Sequence, residues 1–456
     1  VTDHRAPERI VRRFARSSNL MIAGRPFAAT GAGADALAEL LVGLGGIPSP
    51  SPSAGRVEFD LDADRVLLDG KPLPERGDAA GRIAFAREHM PVAAALAQRL
   101  DLTGLRVGVA MVLEPKTAVL SLLLRERGAE VSVYAHPDET DVAVADELRE
   151  RGFAVTADPA LAGAEERAAA LGFLRAGLDV LLDDGAHLIR LAHEADPALV
   201  DGWIGACEET TSGLTPLRRM QDAGLLRCAV MAVNDARTKT MFDNRYGTGQ
   251  SCVFAIADLL EERGIALTDQ PALVIGYGPV GQGVAAHLRA LGAEVRVAET
   301  DPVRALEARH DGFRTGRALE LAEGALVVSA TGAPATVTPE IAAGARVVAV
   351  AGGVPGEVVE AGSALLLGGG GAVNITAAEG NPIEIMDLSF SVQLAALGEL
   401  IERRPAPGVH ALGPEVDDLV ARTALAVRGA AVDVARALDP EGLDDWRSPR
   451  FAGGDA

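Results

Sequence analysis

Residues 272–281 read Ala272-Leu-Val-Ile-Gly-Tyr-Gly-Pro-Val-Gly281, and this run decides the fold. Ala272–Ile275 is a short apolar strand, and Gly276, Gly278 and Gly281 follow at G-x-G-x-x-G spacing. A helix pattern runs from about Gln282 to Leu291, Gly292 ends it, and Glu294–Ala298 is the next strand. Glu299 closes that strand, 18 residues beyond Gly281. Each part has a physical task. Gly276 permits the tight turn, Gly278 lets the backbone approach a pyrophosphate, and Gly281 lets helix and strand pack closely. Pro279 and Val280 belong to the same turn. The helix N-terminus offers amide donors and the positive end of its dipole. Glu299 can accept hydrogen bonds from a ribose diol and would repel a 2′-phosphate, so NAD is expected in preference to NADP. Val327-Val-Ser-Ala-Thr-Gly332 is a further strand, and its terminal Thr331 and Gly332 are expected beside the nicotinamide half of the cofactor.

Strand–helix alternation continues outward from this unit. Between about 80 and 249, Arg106–Val112, Glu130–Tyr134 and Asp179–Leu182 read as strands, with a helix pattern over Thr117–Arg127 ending at Gly128. Such alternation argues for a parallel sheet, whose ligands bind at the carboxyl ends of the strands. Asp183 and Asp184 lie at one such end. Before residue 80, a helix-like run Asp35–Leu44 precedes a Pro/Ser linker, Ile47–Ser53, and a hairpin built on Val57, Phe59, Leu61 and Val66–Gly70. After 386, helices are expected over Leu388–Arg403 and Val416–Leu438, then a loosely ordered tail, Asp439–Ala456. The expected fold is α/β, with two doubly wound, Rossmann-like domains joined by hinges and a small N-terminal α+β module. The expected boundaries are 1–79 for the N-terminal module and 80–249, completed by 386–425, for a substrate-binding domain. An NAD-binding domain over 250–385 and a C-terminal extension over 426–456 complete the chain.

Composition narrows the function. Of 456 residues, 48% are hydrophobic, enough for a sizeable core, and 4% are aromatic, which suits α/β layers. A net charge of −21 would repel nucleic acids and anionic membranes, so neither is an expected partner. Cys207, Cys228 and Cys252 have no metal spacing, so no metal is expected and the setting is read as reduced and cytoplasmic. The stretch VTDHRAPERIVRRFARSS lacks a signal peptide's apolar core, and no apolar run of about 18 residues follows.

Two polar segments join carboxylates, a lysine and amides with little apolar cover. One is Cys207-Glu-Glu-Thr-Thr-Ser-Gly213; the other is Val233-Asn-Asp-Ala-Arg-Thr-Lys-Thr-Met-Phe-Asp-Asn-Arg-Tyr-Gly247. With Gly276-Tyr-Gly-Pro-Val-Gly281 and Glu299-Thr-Asp-Pro302, they resemble the S-adenosylhomocysteine hydrolase family, and the similarity covers roughly 80 to 425. It takes in Glu88-His-Met-Pro91, Leu182-Asp-Asp-Gly185, Val373-Asn374 and Gly380-Asn-Pro382, and more weakly Gly408-Val-His410. The resemblance implies a tightly held NAD that oxidises a ribose 3′-hydroxyl transiently. The ketone acidifies the 4′-hydrogen, the 5′-substituent leaves by β-elimination, water adds, and the ketone is reduced. It also implies roles. Glu209 holds sugar hydroxyls, and Lys239 and Asp243 serve the 3′-oxygen, with Lys239 as proton acceptor. A lysine in that role needs a lowered pKa. Asn244 and Asn374 contact nicotinamide, Thr210, Thr211 and Ser212 contact the cofactor, and Asp184 stands near the 4′/5′ region.

The chain departs from the family at the elimination end. Its first proton-transfer histidine falls at Val112, the following threonine at Glu114, and a base-contacting glutamate at Lys116. The second histidine falls at Gly353, the nicotinamide-side cysteine at Thr248, and the adenine-side histidine at Asn381. Glu379 replaces an apolar adenine contact, while Met386 is retained; Asn381 and Met386 are read as substrate-binding. The family's C-terminal Lys-Pro-Asp-x-Tyr-Arg-Tyr run has no counterpart in Ser448–Ala456, which leaves the mode of cofactor retention open; a homo-oligomer, dimer or tetramer, is still expected. The losses spare Glu209, Lys239, Asp243 and the glycines. The reading favoured is therefore an NAD-dependent lyase, a dehydratase that eliminates an exocyclic hydroxyl of a purine nucleoside as water to give an alkene, as in unsaturated nucleosides of the angustmycin kind. Glu114 or His187 would supply the proton. The alternatives are true S-adenosylhomocysteine hydrolysis to adenosine and homocysteine, a 3′-keto-dependent epimerase or oxidoreductase, and a non-catalytic NAD-binding regulator.

Overall fold

The computed structural model describes residues 5–73, 77–354 and 356–433, and all structural statements concern these. Three sheets follow one another along the chain. The first is mixed: β1 (Pro26–Thr30), β2 (Ile47–Pro48), β3 (Val57–Asp60), β4 (Arg65–Leu68) and β5 (Lys71–Pro72), in the order β2-β1-β3-β4-β5. Strands β3 and β4 form the expected hairpin, with Phe59 opposite Val66. Part of the Pro/Ser linker is β2, paired in parallel with β1.

The second sheet holds β6 (Arg106–Ala110), β7 (Glu130–Tyr134), β8 (Ala154–Thr156), β9 (Val180–Asp183), β10 (Gly205–Glu208) and β11 (Ala229–Ala232). The third holds β12 (Ala272–Ile275), β13 (Val295–Ala298), β14 (Arg314–Thr315), β15 (Leu326–Ser329), β16 (Val347–Val350) and β17 (Leu365–Leu366). A final strand, β18 (Gly408–Ala411), returns to the edge of the second sheet beside β11. Both large sheets are parallel throughout. Their orders, β18-β11-β10-β9-β6-β7-β8 and β14-β13-β12-β15-β16-β17, reverse between β6 and β9 and between β12 and β15. These are the switch points where doubly wound sheets hold ligands. Their strands read as near-continuous apolar runs because helices cover both faces; Val180–Leu182, Ala272–Val274 and Leu326–Val328 have no exposure.

Two helices, Thr248–Glu261 and Ile383–Arg403, link the large sheets, and the first unit is fastened to both. Ile22 N donates to Gln250 Oε1 (2.9 Å), Ile383 N to the Asn19 carbonyl (2.8 Å), and Met21 N to Glu384 Oε2 (3.0 Å). Arg25 pairs with Glu384, and Arg12 with Asp258. The N-terminal residues thus back the linking helices.

One expected boundary is corrected. The last helix is Pro414–Val427 and does not run to Leu438. Gly429 takes φ 68°, and Ala430 N donates back to the Leu425 carbonyl, the left-handed closure that ends helices. The expected tail, Asp439–Ala456, lies outside the described residues, as does most of the 426–456 extension.

Candidate active site

The carboxyl ends of β6, β9 and β10 face those of β12, β13 and β15 across a cleft of about 770 Å³. Its wall contains Asp184, Glu209, Thr210, Thr211, Ser212, Lys239, Asp243 and Asn244 from the second-sheet side. Gly276, Gly278, Pro279, Val280, Glu299, Thr331 and Gly332 come from the third. Glu114, His187, Asn374, Asn381 and Met386 complete the expected set. Gly281 is set back behind the turn, where a Cβ would collide with the Gly276 carbonyl, so its task is packing.

The polar cluster is built by a rare element. Thr240–Gly247 is a π-helix, entered from Lys239. Its wide turn lets Lys239 reach both the fourth and the fifth residue ahead; such segments concentrate at functional sites. Lys239 Nζ lies 2.9 Å from Asp243 Oδ2, donates to Asn244 Oδ1 (3.2 Å) and Asn234 Oδ1 (3.2 Å), and stands 3.9 Å from Glu209 Oε1. Glu209 is held from the linking helix by Ser389 and by Gln393 Nε2 (2.6 Å). Burial pushes the Glu209 carboxyl up to about 7 against the pull of Lys239. Glu208, one residue earlier, points the other way and is wholly buried. It accepts from Gly185 N (3.0 Å), Ala186 N (2.8 Å) and Thr210 Oγ1 (2.7 Å), fixing the loop that carries Asp184.

Lys239 departs from expectation. Its burial alone would favour the neutral amine, but Asp243, Glu209 and Asp184 outweigh it and hold the ammonium above its usual range. The cofactor turn has the expected form. Gly276 takes φ 97°, with the Ala330 carbonyl where a Cβ would sit. The helix Pro279–Ala290 starts at Gly278. Glu299 accepts from Tyr277 N (2.6 Å), Thr300 N (2.6 Å) and Asp301 N (3.0 Å). Burial opposes its charge, but these donors prevail and hold its carboxyl below the usual range. A close-approach glycine, a helix N-terminus and an ionised acid one strand away fit a dinucleotide.

A family model described as S-adenosyl-L-homocysteine hydrolase, NAD binding domain, matches residues 244–360. An S-inosyl-L-homocysteine hydrolase of Methanocaldococcus jannaschii is 34% identical over 400 residues, 80% of this chain and 96% of the relative. An adenosylhomocysteinase of Archaeoglobus fulgidus is 36% identical, covering 80% and 98%, and one of Aeropyrum pernix is 37% identical, covering 83% and 98%. The chain belongs to the S-adenosylhomocysteine hydrolase family. It is an enzyme of that family, and its cofactor is NAD.

The surroundings of three expected residues bear on their roles. Glu114, one of the two expected proton donors, is engaged by its own helix. It is buried, caps the helix Pro115–Glu126 through Lys116 N (3.0 Å) and pairs with Lys116 Nζ (2.7 Å). His187 lines the cleft, but burial, with His136 and Arg190 nearby, pushes its pKa down to about 4, so it is an uncharged imidazole near neutrality. Asn381 does not present a free amide to a ligand. Its Nδ2 donates to Asp243 Oδ1 (2.6 Å) and Thr248 Oγ1 (3.1 Å), and its Oδ1 accepts from Ser251 Oγ (2.7 Å) and Asn374 Nδ2 (3.1 Å). All four hydrogen-bonding positions of the amide are taken, so Asn381 braces Asp243.

The cleft also contains residues that the sequence reading passed over: Glu139, Arg304 and Phe390. Arg304 was legible in principle, since a cation on the helix after Glu299 faces the glycine turn; its guanidinium approaches Gly278. Glu139, in a polar Pro-Asp-Glu turn, gives no such signal. No described helix is long and apolar enough to cross a membrane.

Proposed function

We propose that the protein transiently oxidises the 3′-hydroxyl of a purine nucleoside, eliminates the substituent on the exocyclic carbon, adds water in its place, and reduces the ketone again. The substrate class proposed is an S-nucleosyl-homocysteine such as S-adenosyl- or S-inosyl-homocysteine. One observation carries this reading: Lys239, Asp243, Asn244 and Glu209 converge on the cleft that the Gly276–Gly281 turn enters. The names of the relatives favour a homocysteine thioether. In this reading the second-sheet unit holds the substrate and the third-sheet unit the cofactor.

NAD, when bound, supplies the hydride acceptor and a positive charge that lowers the pKa of a neighbouring ammonium. Thr210, Thr211, Ser212, Asn244, Asn374, Thr331 and Gly332 line its path. Glu209 orients the sugar hydroxyls as an acceptor. Lys239 moves the 3′-hydroxyl proton, passing its own to Asp243. Asp184 is placed for the 4′ proton.

A second reading is loss of an exocyclic hydroxyl as water. It is favoured by Val112 and Gly353, which line the cleft where the family resemblance implies histidines. Hydroxide is a far poorer leaving group than thiolate and needs a proton donor. Incubation of the NAD-loaded protein with S-adenosyl-homocysteine, S-inosyl-homocysteine and a panel of free nucleosides, followed by mass spectrometry, separates the two. Release of homocysteine supports the first reading and loss of one water the second. An unaltered panel sinks both.

A further inference from the structure

Val112 follows β6 with a side chain that cannot carry a proton, and an acid reaches that end of the cleft from another segment. The turn Pro137–Glu139 is laced to the loop after β6. Leu113 N donates to the Glu139 carbonyl (2.9 Å), Asp141 N donates to the Leu113 carbonyl (2.9 Å), and Leu113 bridges Thr140. This pairing sets Glu139 in the same wall as Val112, Glu114, Asp184 and His187. Resting on the oxidation and elimination proposed above, we propose that Glu139 is the acid that protonates the departing exocyclic substituent, and the base that takes a proton when water adds.

The surroundings keep this carboxyl protonated. Burial pushes it up to about 8, and Asp184, Asp138, Asp183 and Glu166 reinforce the rise. The basic side chains nearby are engaged elsewhere. Lys116 pairs with Glu114 (2.7 Å), His136 with Glu166 (2.9 Å), and Lys239 with Asp243 (2.9 Å). His187 is uncharged near neutrality. Arg82, beyond the loop, pairs with Asp141 (2.6 Å). Of the acids on this wall, Glu114 is tied to its helix and its lysine, which leaves Glu139 to serve an entering group.

The step balances. In the 3′-keto sugar, the C4′ proton passes to Asp184, and the bond from the exocyclic carbon to the substituent breaks. The double bond forms between C4′ and the exocyclic carbon, and the substituent departs with the Glu139 proton. If water then adds, its proton goes to Glu139 and C4′ regains the proton from Asp184. If the alkene is the product, a proton passes from Asp184 to Glu139 and restores the pair. The Asp184 charge opposes ionisation of Glu139, which suits the two carboxyls to such an exchange.

The test uses the NAD-loaded protein and Glu139→Gln. NADH absorbance on adding the substrate is expected to stay within about twofold, while elimination of a thioether or hydroxyl slows about 100-fold. A 5′-chloro-5′-deoxynucleoside, whose chloride leaves without a proton, is expected to lose less than about threefold. A misfolded or merely loosened site would slow both substrates alike. In the unsubstituted protein, elimination is expected to fall as pH rises through about 8, a measurement that does not depend on the variant. NADH formation with undiminished elimination in Glu139→Gln, or equal losses for chloride and hydroxyl, overturns the assignment alone. Absence of NADH with every nucleoside in the unsubstituted protein overturns the reading beneath it as well.

Discussion

Lys239 Nζ lies 2.9 Å from Asp243 Oδ2, at the mouth of a π-helix and away from solvent. The pair is what a redox step at a sugar hydroxyl requires: a donor to the oxygen and an immediate acceptor for its proton. Lys239→Ala is expected to reduce NADH formation by about 1000-fold, at the upper part of the range for acid–base groups. It also leaves Asp243 and Glu209 without their cation, at a stability cost on the order of 3 kcal/mol. Rapid-mixing absorbance and thermal unfolding read the two effects, and wild-type NADH formation would remove Lys239 from its role.

Asn381 aims Asp243 from the second linking segment. Asn381→Ala is expected to slow NADH formation about tenfold through the loss of one hydrogen bond to a charged group. Substrate affinity should change less, because the amide has no position left for a ligand. Equal losses in kcat and KM terms would make Asn381 a ligand contact.

Glu299 gathers three backbone N–H groups beside the glycine turn. Glu299→Ala is expected to weaken NAD binding about 10- to 100-fold and to narrow the preference over NADP. Fluorescence titration with both dinucleotides checks this; an unchanged preference would place discrimination elsewhere, with Arg304 the nearest cation to examine.

His287 sits where the helices Thr248–Glu261 and Pro279–Ala290 cross. Its Nδ1 meets the Gly283 carbonyl (2.8 Å), its Nε2 has no partner, and burial pushes its pKa down to about 4. The depressed value means that folding excludes a proton the unfolded chain accepts. The stabilisation is therefore complete above about 6.5 and is lost as pH falls from there through about 4, by up to roughly 3 kcal/mol. His287→Leu is expected to flatten the acid side of the unfolding profile in this window. An unchanged slope would show that other groups set it.

The legible parts of this protein are those that local physics specifies. The glycine turn needs only backbone clearance, a helix start and an acid one strand later, all within 28 residues of chain from Ala272 to Glu299. The buried strands announce themselves as apolar runs. The helix Arg5–Ser18 and β1, with its sparse Pro-Phe-Ala-Ala-Thr, do not; the helix is tied to Thr248–Glu261 through Arg12 and Asp258, and β1 is held between β2 and β3. A π-helix has no distinctive periodicity, so resemblance marks Lys239, Asp243 and Asn244 but not their mutual reach. Glu139 is illegible for a further reason. Its place in the cleft depends on pairing with Leu113, and nothing local in Pro137–Glu139 indicates that contact.

Transient sugar oxidation coupled to elimination is tested most directly by rapid mixing. NAD-loaded protein is mixed with S-adenosyl-homocysteine, S-inosyl-homocysteine or a free nucleoside, while bound NADH is followed by absorbance and products by mass spectrometry. The expected result is NADH that rises and then decays as homocysteine or water is lost, with no net consumption of NAD and no rise in Lys239→Ala. Product formed without any NADH transient, or a transient unaffected by Lys239→Ala, would contradict it.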